Sequence, residues 1–200
     1  MEPLDRQVGF LLEADRLKTV LRQSTLTDGS RRENSAEHSW HLALMALVLA
    51  EHAPPGADLS RVMAMVVLHD LVEIDAGDLS AYAGEADQAR QRQAEEAAAD
   101  RLFALLPPAQ ASALRALWDE FEERATAEAK FARALDRLQP MLINMVVGGG
   151  GGTWQSAGIT ADQVLAKVAL IEDGSPSLGA YARDMIDRAV DRGILAPPAT

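Results

Sequence analysis

Two adjacent ionisable residues, His69 and Asp70, interrupt the most apolar stretch of the chain. Residues 62–68 before them are all apolar, and the two residues after them are apolar as well. An isolated carboxylate in a low-dielectric core either takes up a proton or finds a cation. A divalent metal ion bound by the imidazole and the carboxylate would satisfy both groups together. The alternative is a buried histidine–aspartate hydrogen bond without a metal, which helical cores also contain.

Further residues of metal-binding type lie far from this pair along the chain. His38 stands at the start of a predicted helix, and Asp136 stands among apolar neighbours on another. The chain has no cysteine, so a metal site must use imidazole, carboxylate and water. His41 follows His38 by one helical turn, and this spacing favours a core or supporting role over ligation. His52 stands at a helix end, where a surface or capping role is expected.

Helical patterns determine where these residues lie. Apolar residues recur at helical spacing along most of the chain, and turn-forming residues separate the helical segments. A helix that is apolar on every side, such as the one leading into His69, is expected to lie in the core. The predicted segments are a first helix ending near Arg22, a second capped by Ser35, a third capped by Asp58 or Ser60, and helices over residues 85–106, 114–121, 128–147 (with Pro140 at a kink or a functional end), 159–171 and 178–192, the last closed by Gly193.

The glycine run over residues 148–152 is predicted to end the preceding helix as a flexible connector. The alternative is a phosphate-binding loop, since glycine-rich backbone can cradle phosphate. The run lacks the Lys-Ser/Thr pair of a P-loop, however, and it follows a helix rather than a strand. The connector is therefore the favoured interpretation.

Composition restricts the fold class and the partners. The 200 residues (21.5 kDa) are 48% hydrophobic but only 4% aromatic, which favours close-packed helices over a sheet. We expect an all-α fold with a single domain over residues 1–200. The net charge of −11 makes nucleic acid an unexpected partner. No signal peptide and no apolar run of ~18 residues is apparent, so a soluble cytoplasmic protein without a membrane partner is expected.

The HD-domain phosphohydrolases have a signature of a His, then a His-Asp pair, then a distant Asp, all on helices. This chain resembles that signature in residue type and order through His38, the His69-Asp70 pair and Asp136. Over residues 10–192 the sequence is similar to the bacterial 5'-deoxynucleotidase branch and its eukaryotic relatives. The flanks that carry this similarity are Glu33-Asn34-x-Ala36-Glu37-His38-Ser39 and His69-Asp70-x-x-Glu73-x-x-x-Gly77-Asp78. The resemblance implies a single-domain HD-type helical bundle that holds one divalent metal ion through His38, His69, Asp70 and Asp136. Manganese, cobalt, magnesium, zinc, iron and nickel all suit such ligands.

The resemblance also implies two catalytic carboxylates, Glu73 and Asp78. Glu73 comes one helical turn after His69, so it can face the same cavity as a general base or orient a water molecule. Asp78 follows Gly77 in the loop after that helix and can reach the site from outside. The alternative for Glu73 is a solvated residue at a helix end.

Arg22 matches the family's phosphate-binding arginine, a suitable role because a guanidinium donates two parallel hydrogen bonds. Lys18 and Glu37 are further predicted substrate contacts. The similar deoxynucleotidases have Trp after the arginine, whereas this chain has Gln23 and a longer segment over residues 24–32. The base and the sugar of the substrate are therefore not predicted.

Three functions follow from these residues. The first is a 5'-nucleotidase that hydrolyses (deoxy)ribonucleoside 5'-monophosphates with a metal-activated water. The second keeps the fold but acts on another phosphate ester, such as a triphosphate, an alarmone or a cyclic dinucleotide. The third is a metal-binding regulatory module without turnover. A homodimer is expected as well, from the family and from the number of apolar helices.

Overall fold

The computed structural model describes residues 2–147 and 152–198, and these residues are mainly helical. The predicted all-α fold class is confirmed, with a small two-stranded hairpin added. The α-helices are α1 (Pro3–Ala14), α2 (Ser35–Val48), α3 (Leu59–Leu68), α4 (Glu73–Ala76), α5 (Glu85–Phe103), α6 (Pro108–Glu123), α7 (Ala127–Val146), α8 (Thr153–Ser156), α9 (Ala161–Gly174) and α10 (Pro176–Asp191). Short 3-10 helices cover Asp15–Thr19, Ala50–His52 and His69–Val72, and the strands are β1 (Leu21–Thr25) and β2 (Arg32–Asn34).

The prediction that the first helix ends near Arg22 is wrong. Helix α1 ends at Ala14, and Arg22 lies on strand β1, which pairs antiparallel with β2. The turn between the strands contains Gly29 at a φ of 70°, a left-handed conformation that glycine adopts without steric cost. The hairpin forms because residues 25–30 carry turn chemistry between short extended segments.

Side-chain caps fix where the helices that carry the site begin. Asn34 caps α2, and Glu37 returns a hydrogen bond to the Asn34 backbone, which forms a capping box. The predicted cap, Ser35, is the first residue of the helix instead. Asp58 caps α3 as predicted. These caps determine which residues of α2 and α3 face the interior.

Helix α3 is not buried on every side as the sequence predicted. Its residues Val62, Met65 and Val66 are fully buried, whereas Val67 is 50% exposed. An apolar residue on the outer face adds little surface to the core, and single exposed apolar residues are common in soluble proteins. The buried face of α3 nevertheless leads directly into the 3-10 turn that contains His69 and Asp70.

Helix α7 lies at the centre of the larger core cluster, where it packs against α9, α3 and α2. Gly174 near the end of α9 permits close approach: a Cβ atom there would lie 2.2 Å from the Lys130 carbonyl oxygen of α7. Pro140 is accommodated inside α7, and its carbonyl accepts a hydrogen bond from Nδ2 of Asn144 (2.8 Å). The central position of α7 places Asp136 in the interior.

A second core cluster includes Leu71 and Val72 of the His69–Val72 turn, together with Phe103 and Trp118. The indole Nε1 of Trp118 donates a hydrogen bond to the His69 carbonyl (3.1 Å). This turn is therefore held in the second cluster. Four of the predicted connector glycines, residues 148–151, lie outside the described residues. No helix among residues 2–147 and 152–198 has both the length and the apolar character needed to cross a membrane.

Candidate metal centre

The four predicted metal ligands converge from three elements. His38 comes from α2, His69 and Asp70 from the 3-10 turn after α3, and Asp136 from α7, and all four are buried. Nε2 of His38 lies 3.2 Å from Oδ1 of Asp136 and 4.0 Å from Oδ2 of Asp70. Nε2 of His69 lies 2.9 Å from Oδ1 of Asp70 and 3.8 Å from Oδ1 of Asp136. Ligand atoms of His38, His69 and Asp136 lie within 4.8 Å of one another, a spacing that allows one ion to be bound.

Orientation of the His69 ring supports a cation at this position. Nδ1 lies 2.9 Å from the Val66 carbonyl oxygen, which can only accept, so Nδ1 carries a proton. In the neutral imidazole, Nε2 then presents a lone pair toward the carboxylates of Asp70 and Asp136, and it has no hydrogen-bond partner. A lone pair facing carboxylate oxygens is repulsive unless a proton or a metal ion lies between them. Two imidazoles and two carboxylates therefore fit a divalent metal ion.

Protonation of the two histidines differs. Burial by itself lowers the pKa of His69, but the negative charges of Asp70 and Asp136 outweigh it and raise the pKa to about 10. Burial and the charge of Arg22 lower the pKa of His38 to about 4. Without metal, His69 thus carries the positive charge of the site and His38 is neutral at pH 7. A metal ion has to displace the His69 proton.

Arg22 lies among carboxylates at the edge of the site. Its Nη1 donates a hydrogen bond to Oδ2 of Asp70 (2.9 Å) and lies 3.9 Å from Oδ1 of Asp78. Its Nε lies 3.5 Å from Oε2 of the buried Glu33. Burial opposes the charged guanidinium, but the charges of Asp70, Glu73, Asp136 and Asp78 raise the pKa of Arg22 above its usual value. The hairpin therefore delivers a permanent positive charge next to the candidate metal ligands.

Both predicted catalytic carboxylates reach the same cavity. The Ser35 hydroxyl donates a hydrogen bond to Oε2 of Glu73 (2.5 Å). Burial, and then the charge of Asp70, raise the pKa of Glu73 well above its usual range. Asp78 accepts a hydrogen bond from the Gln23 backbone N–H (3.0 Å), and burial raises its pKa as well. The positive φ of Gly77 (72°) turns the chain so that Asp78 comes back toward the site.

Lys18 and Glu37, in contrast, are not brought to this cluster. The Lys18 ammonium is exposed and pairs with Asp15. Glu37 accepts hydrogen bonds from both terminal nitrogens of Arg31 (2.6 and 2.9 Å) and completes the α2 capping box. Neither residue lines the cavity next to the candidate ligands.

Three residues without a predicted role support the site. Arg133, one turn before Asp136, lies 3.3 Å from its Oδ2, and its other nitrogen donates to Glu122 (2.7 Å). The i, i+3 spacing from Asp136 is a signal that could have indicated Arg133. Glu33 lies 3.8 Å from Nδ1 of His38 and accepts a hydrogen bond from Gln139 (2.8 Å). Glu33 and Gln139 become neighbours only through tertiary packing.

The other two histidines lie outside the ligand cluster. Nδ1 of His41 lies 3.2 Å from Nε2 of Gln139, which gives His41 the supporting position that its spacing favoured. Nδ1 of His52 lies 3.0 Å from the Ser177 hydroxyl at an exposed position, in agreement with the expected surface role.

A cavity of ≈ 330 Å³ opens onto the cluster, within the size range of small-molecule sites. Residues from the hairpin, α5, α7 and α9 form its walls. Its polar lining near the cluster comes from Arg22, Asp70, Glu73, Asp78 and Asp136. A ligand in this cavity would meet the candidate metal site, the Arg22 guanidinium and two carboxylates with raised pKa values.

Curated proteins match about two thirds of the length of this chain. The chain is 30% identical over 134 residues to the 5'-deoxynucleotidase HDDC2 of Homo sapiens, covering 66% of this chain and 64% of that protein. It is 32% identical over 135 residues to HDDC2 of Bos taurus, covering 66% and 63%. The match thus spans less than two thirds of the length of these two relatives.

Solved structures match more of the fold. A predicted metal-dependent phosphohydrolase from Magnetospirillum magnetotacticum is 52% identical, with a TM-score of 0.90 over 98% of this chain and 99% of that one. A conserved hypothetical protein from Pyrococcus furiosus shares the fold at 21% identity, with a TM-score of 0.64 over 92% and 99%. The sequence profile described as HD domain matches residues 14–178. Since this match includes all four converging residues and most of the chain, the protein belongs to the HD domain family.

Proposed function

We propose that the protein is a metal-dependent phosphohydrolase, most specifically a 5'-nucleotidase that converts (deoxy)ribonucleoside 5'-monophosphates to nucleoside and phosphate. The observation that carries this proposal is the buried cluster of His38, His69, Asp70 and Asp136 beside Arg22. Such a cluster combines a divalent-ion site with a permanent cation, and phosphoryl transfer needs both. The names of the curated relatives, 5'-deoxynucleotidases, support the substrate class.

The proposed ligands are His38, His69, Asp70 and Asp136, and the ion is one of manganese, cobalt, magnesium, zinc, iron or nickel. When bound, a divalent ion supplies Lewis acidity that polarises a phosphoryl oxygen and acidifies a water molecule. Arg22 would bind the phosphate and compensate the negative charge that develops during the reaction. Because Asp70 and Asp78 already lie near its Nη1, Arg22 is oriented before a substrate enters.

Glu73 and Asp78 are the proposed proton-handling groups. Ser35 donates to Oε2 of Glu73, which fixes the carboxyl group at the cavity wall. Because burial and the charge of Asp70 raise its pKa, Glu73 takes up a proton more readily than an exposed glutamate does. In hydrolysis a water oxygen bonds to phosphorus, the bond from phosphorus to the 5'-oxygen breaks, and that oxygen takes a proton from Glu73 or Asp78. The other carboxylate orients the attacking water and accepts the proton that the water loses, so that one proton is given up and one is taken up in each turnover.

Lys18 and Glu37 remain predicted substrate contacts on the basis of the sequence. Since each pairs with another side chain, they would have to exchange that partner for the substrate. We also propose that residues 1–200 act as a single HD domain in the cytoplasm, without nucleic-acid or membrane partners.

We further propose a homodimer. Helix α2 exposes Trp40, Leu44, Leu47 and Val48, apolar side chains that a second subunit could cover. Light scattering is expected to give twice the 21.5 kDa mass of the chain. A mass equal to that of a single chain at micromolar concentration would contradict this proposal.

Phosphate release from ribo- and deoxyribonucleoside 5'-monophosphates, measured side by side with manganese, cobalt and magnesium, tests the function. We expect release from the monophosphates, and Asp70→Ala should abolish both stoichiometric metal binding and release. Asp75→Asn is the matched control, because Asp75 lies nearby but pairs with Arg101 on the surface. Release from triphosphates alone would favour the alternative substrates. Metal binding without release from any phosphate ester would leave the regulatory alternative, and neither metal binding nor release with any ion would contradict the proposed enzyme.

A further inference from the structure

Among the described residues, six cationic and six acidic side chains line the cavity at the candidate metal centre. Cations are over-represented there, because acidic residues outnumber Lys and Arg by 30 to 19 in the chain as a whole. The described cationic residues that line the cavity are Arg22, Arg92, Arg124, Arg133, Arg137 and Lys167.

Four of these cations have no carboxylate oxygen within 3.5 Å among the described residues: Arg92, Arg124, Arg137 and Lys167. Arg137 and Lys167 are the two of them that lie on the packed helices α7 and α9. Arg137 has a buried Nε without a hydrogen-bond partner, and its closest carboxylate oxygen, Oδ2 of Asp136, lies 3.6 Å away. That oxygen already has a closer contact, with Nη1 of Arg133 at 3.3 Å. Lys167 has no carboxylate within 4.0 Å among residues 2–147 and 152–198. By comparison, Arg22 and Arg133 each have a carboxylate oxygen within 3.0 Å.

The two cations line the same cavity and are held on neighbouring helices. Arg137 lies on α7 and Lys167 on α9, two helices that pack closely together. Burial, and then the positive charge of Arg137, lower the pKa of Lys167. Like charges side by side in a partly buried cavity destabilise the empty site, and an anion between them removes that cost.

Metal binding would leave the positive charges of Arg137 and Lys167 less compensated. A divalent ion would compensate the charges of Asp70 and Asp136, so the carboxylate nearest to Arg137 would attract it less. The two cations would then face the cavity with their charges uncompensated. Since Nε of Arg137 lies 3.6 Å from Oδ2 of Asp136, an anion held by Arg137 would lie beside the metal centre.

We propose that Arg137 and Lys167 form a second anion subsite, which binds a phosphoryl group of the substrate other than the one hydrolysed at the metal centre. This inference rests on the proposed function, because it takes the group at the metal as the one that is hydrolysed. The ligand class is a nucleotide with two phosphoryl groups, which the site would accept in addition to the proposed monophosphates. The second group can follow the first in a 5'-diphosphate or stand on the sugar in a 3',5'-bisphosphate.

Calorimetric titration of the manganese-loaded protein tests the subsite without relying on turnover. The Asp78→Asn variant serves as the background, so that ligands are hydrolysed slowly. The ligands titrated into this variant are deoxyadenosine 5'-monophosphate, deoxyadenosine 5'-diphosphate and deoxyadenosine 3',5'-bisphosphate. We expect one of the two doubly phosphorylated ligands to bind about tenfold or more tightly than the monophosphate, as charge-assisted contacts provide. The ligand that binds more tightly shows whether the second phosphoryl group follows the first or stands on the sugar.

The quantity compared is the Kd of the monophosphate divided by the Kd of the doubly phosphorylated ligand. Adding Arg137→Gln or Lys167→Gln to the Asp78→Asn background should reduce this ratio to about one. Lys130→Gln is the matched control, since it removes a charge from α7 at a site where the ammonium pairs with Asp173 (3.2 Å). It should leave the ratio unchanged. Equal binding of all three ligands, or a ratio that survives both substitutions, would overturn the subsite.

Phosphate release by the wild-type protein separates this outcome from failure of the proposed function. Release from the monophosphate together with equal binding of the three ligands rejects the subsite and leaves the function intact. Tighter binding of a doubly phosphorylated ligand without release from any nucleotide rejects the function and leaves the subsite intact.

Discussion

At the residue scale, the orientation of His69 is set by the main chain. Its Nδ1–H donates to the Val66 carbonyl of the same helical segment, so the ring does not depend on a rotatable side chain for its position. Histidine ligands of metal ions commonly donate their second nitrogen in this way, which fixes the tautomer. Nε2 is consequently directed toward Asp70 and Asp136 before any ion arrives.

Metal affinity should depend strongly on pH because of this residue. The pKa of His69 is raised to about 10, so metal-free protein carries a proton there at every pH below that value. The metal displaces the proton, and its Kd should therefore fall about tenfold for each unit of pH increase between 6 and 8. Competition with a metal-binding dye measures this slope. His52→Gln should leave it unchanged, and a Kd independent of pH would contradict the assignment.

Glu33 is expected to act as a positioning residue. Its Oε2 lies 3.5 Å from Nε of Arg22 and 3.8 Å from Nδ1 of His38, and Gln139 holds its other oxygen. Glu33→Gln should lower metal affinity about 10- to 100-fold, the range known for residues that orient metal ligands. Zinc or manganese titration measures the loss.

A merely structural role for Glu33 would instead lower stability with metal affinity intact. Thermal unfolding of metal-free Glu33→Gln distinguishes the two outcomes. Glu123→Gln, an exposed position at the end of α6, provides the control and should change neither quantity.

At the element scale, the helices near the site could be predicted and the hairpin could not. His69, Asp70 and Asp136 are conspicuous because charged residues interrupt apolar helical patterns. Arg22 was predicted at a helix end because strands of five and three residues show too little periodicity to be recognised. The role of Glu33 depends on contacts with residues distant in sequence, and no local pattern encodes those.

Packing between α7 and α9 depends on Gly174. An added Cβ atom would lie 2.2 Å from the Lys130 carbonyl oxygen and 2.9 Å from Cβ of Ala134. Gly174→Ala should therefore destabilise the protein by about 1–3 kcal/mol, the cost typical of overpacking. Urea unfolding gives the value. An unchanged unfolding midpoint would show that the two helices separate without cost.

The matched control for this substitution is Gly9→Ala in α1, where no atom lies within 4 Å of the added Cβ. Alanine restricts the unfolded chain and favours helix. This variant should stabilise the protein by about 0.5–1 kcal/mol.

At the scale of the whole molecule, the candidate site joins the two core clusters. The larger cluster contains α7 and supplies Asp136, and the smaller contains residues of the turn that carries His69 and Asp70. His38 reaches the site from α2, which packs against both α3 and α7. The site thus depends on the relative position of elements that are far apart in sequence.

Bound metal should consequently raise the thermal stability of the entire fold. At a metal concentration of 100 times Kd, linkage gives about 2.7 kcal/mol. For a protein of this size, that corresponds to an increase in Tm of roughly 5–10 °C. Differential scanning calorimetry with manganese and with a chelator measures the difference. Asp70→Ala should unfold at the same temperature in both, and a wild-type Tm indifferent to the chelator would contradict ligation by these residues.

The separation of His38 and Asp136, 98 residues apart along the chain, has a consequence for folding. An ion held by both would be a reversible cross-link that closes a long loop and lowers the conformational entropy of the opened chain. Secreted proteins obtain this restraint from disulfides, which a chain without cysteine cannot form. Metal supply would then determine the lifetime of the protein in the cell as well as its activity, since the metal-free chain opens more often and is more readily degraded.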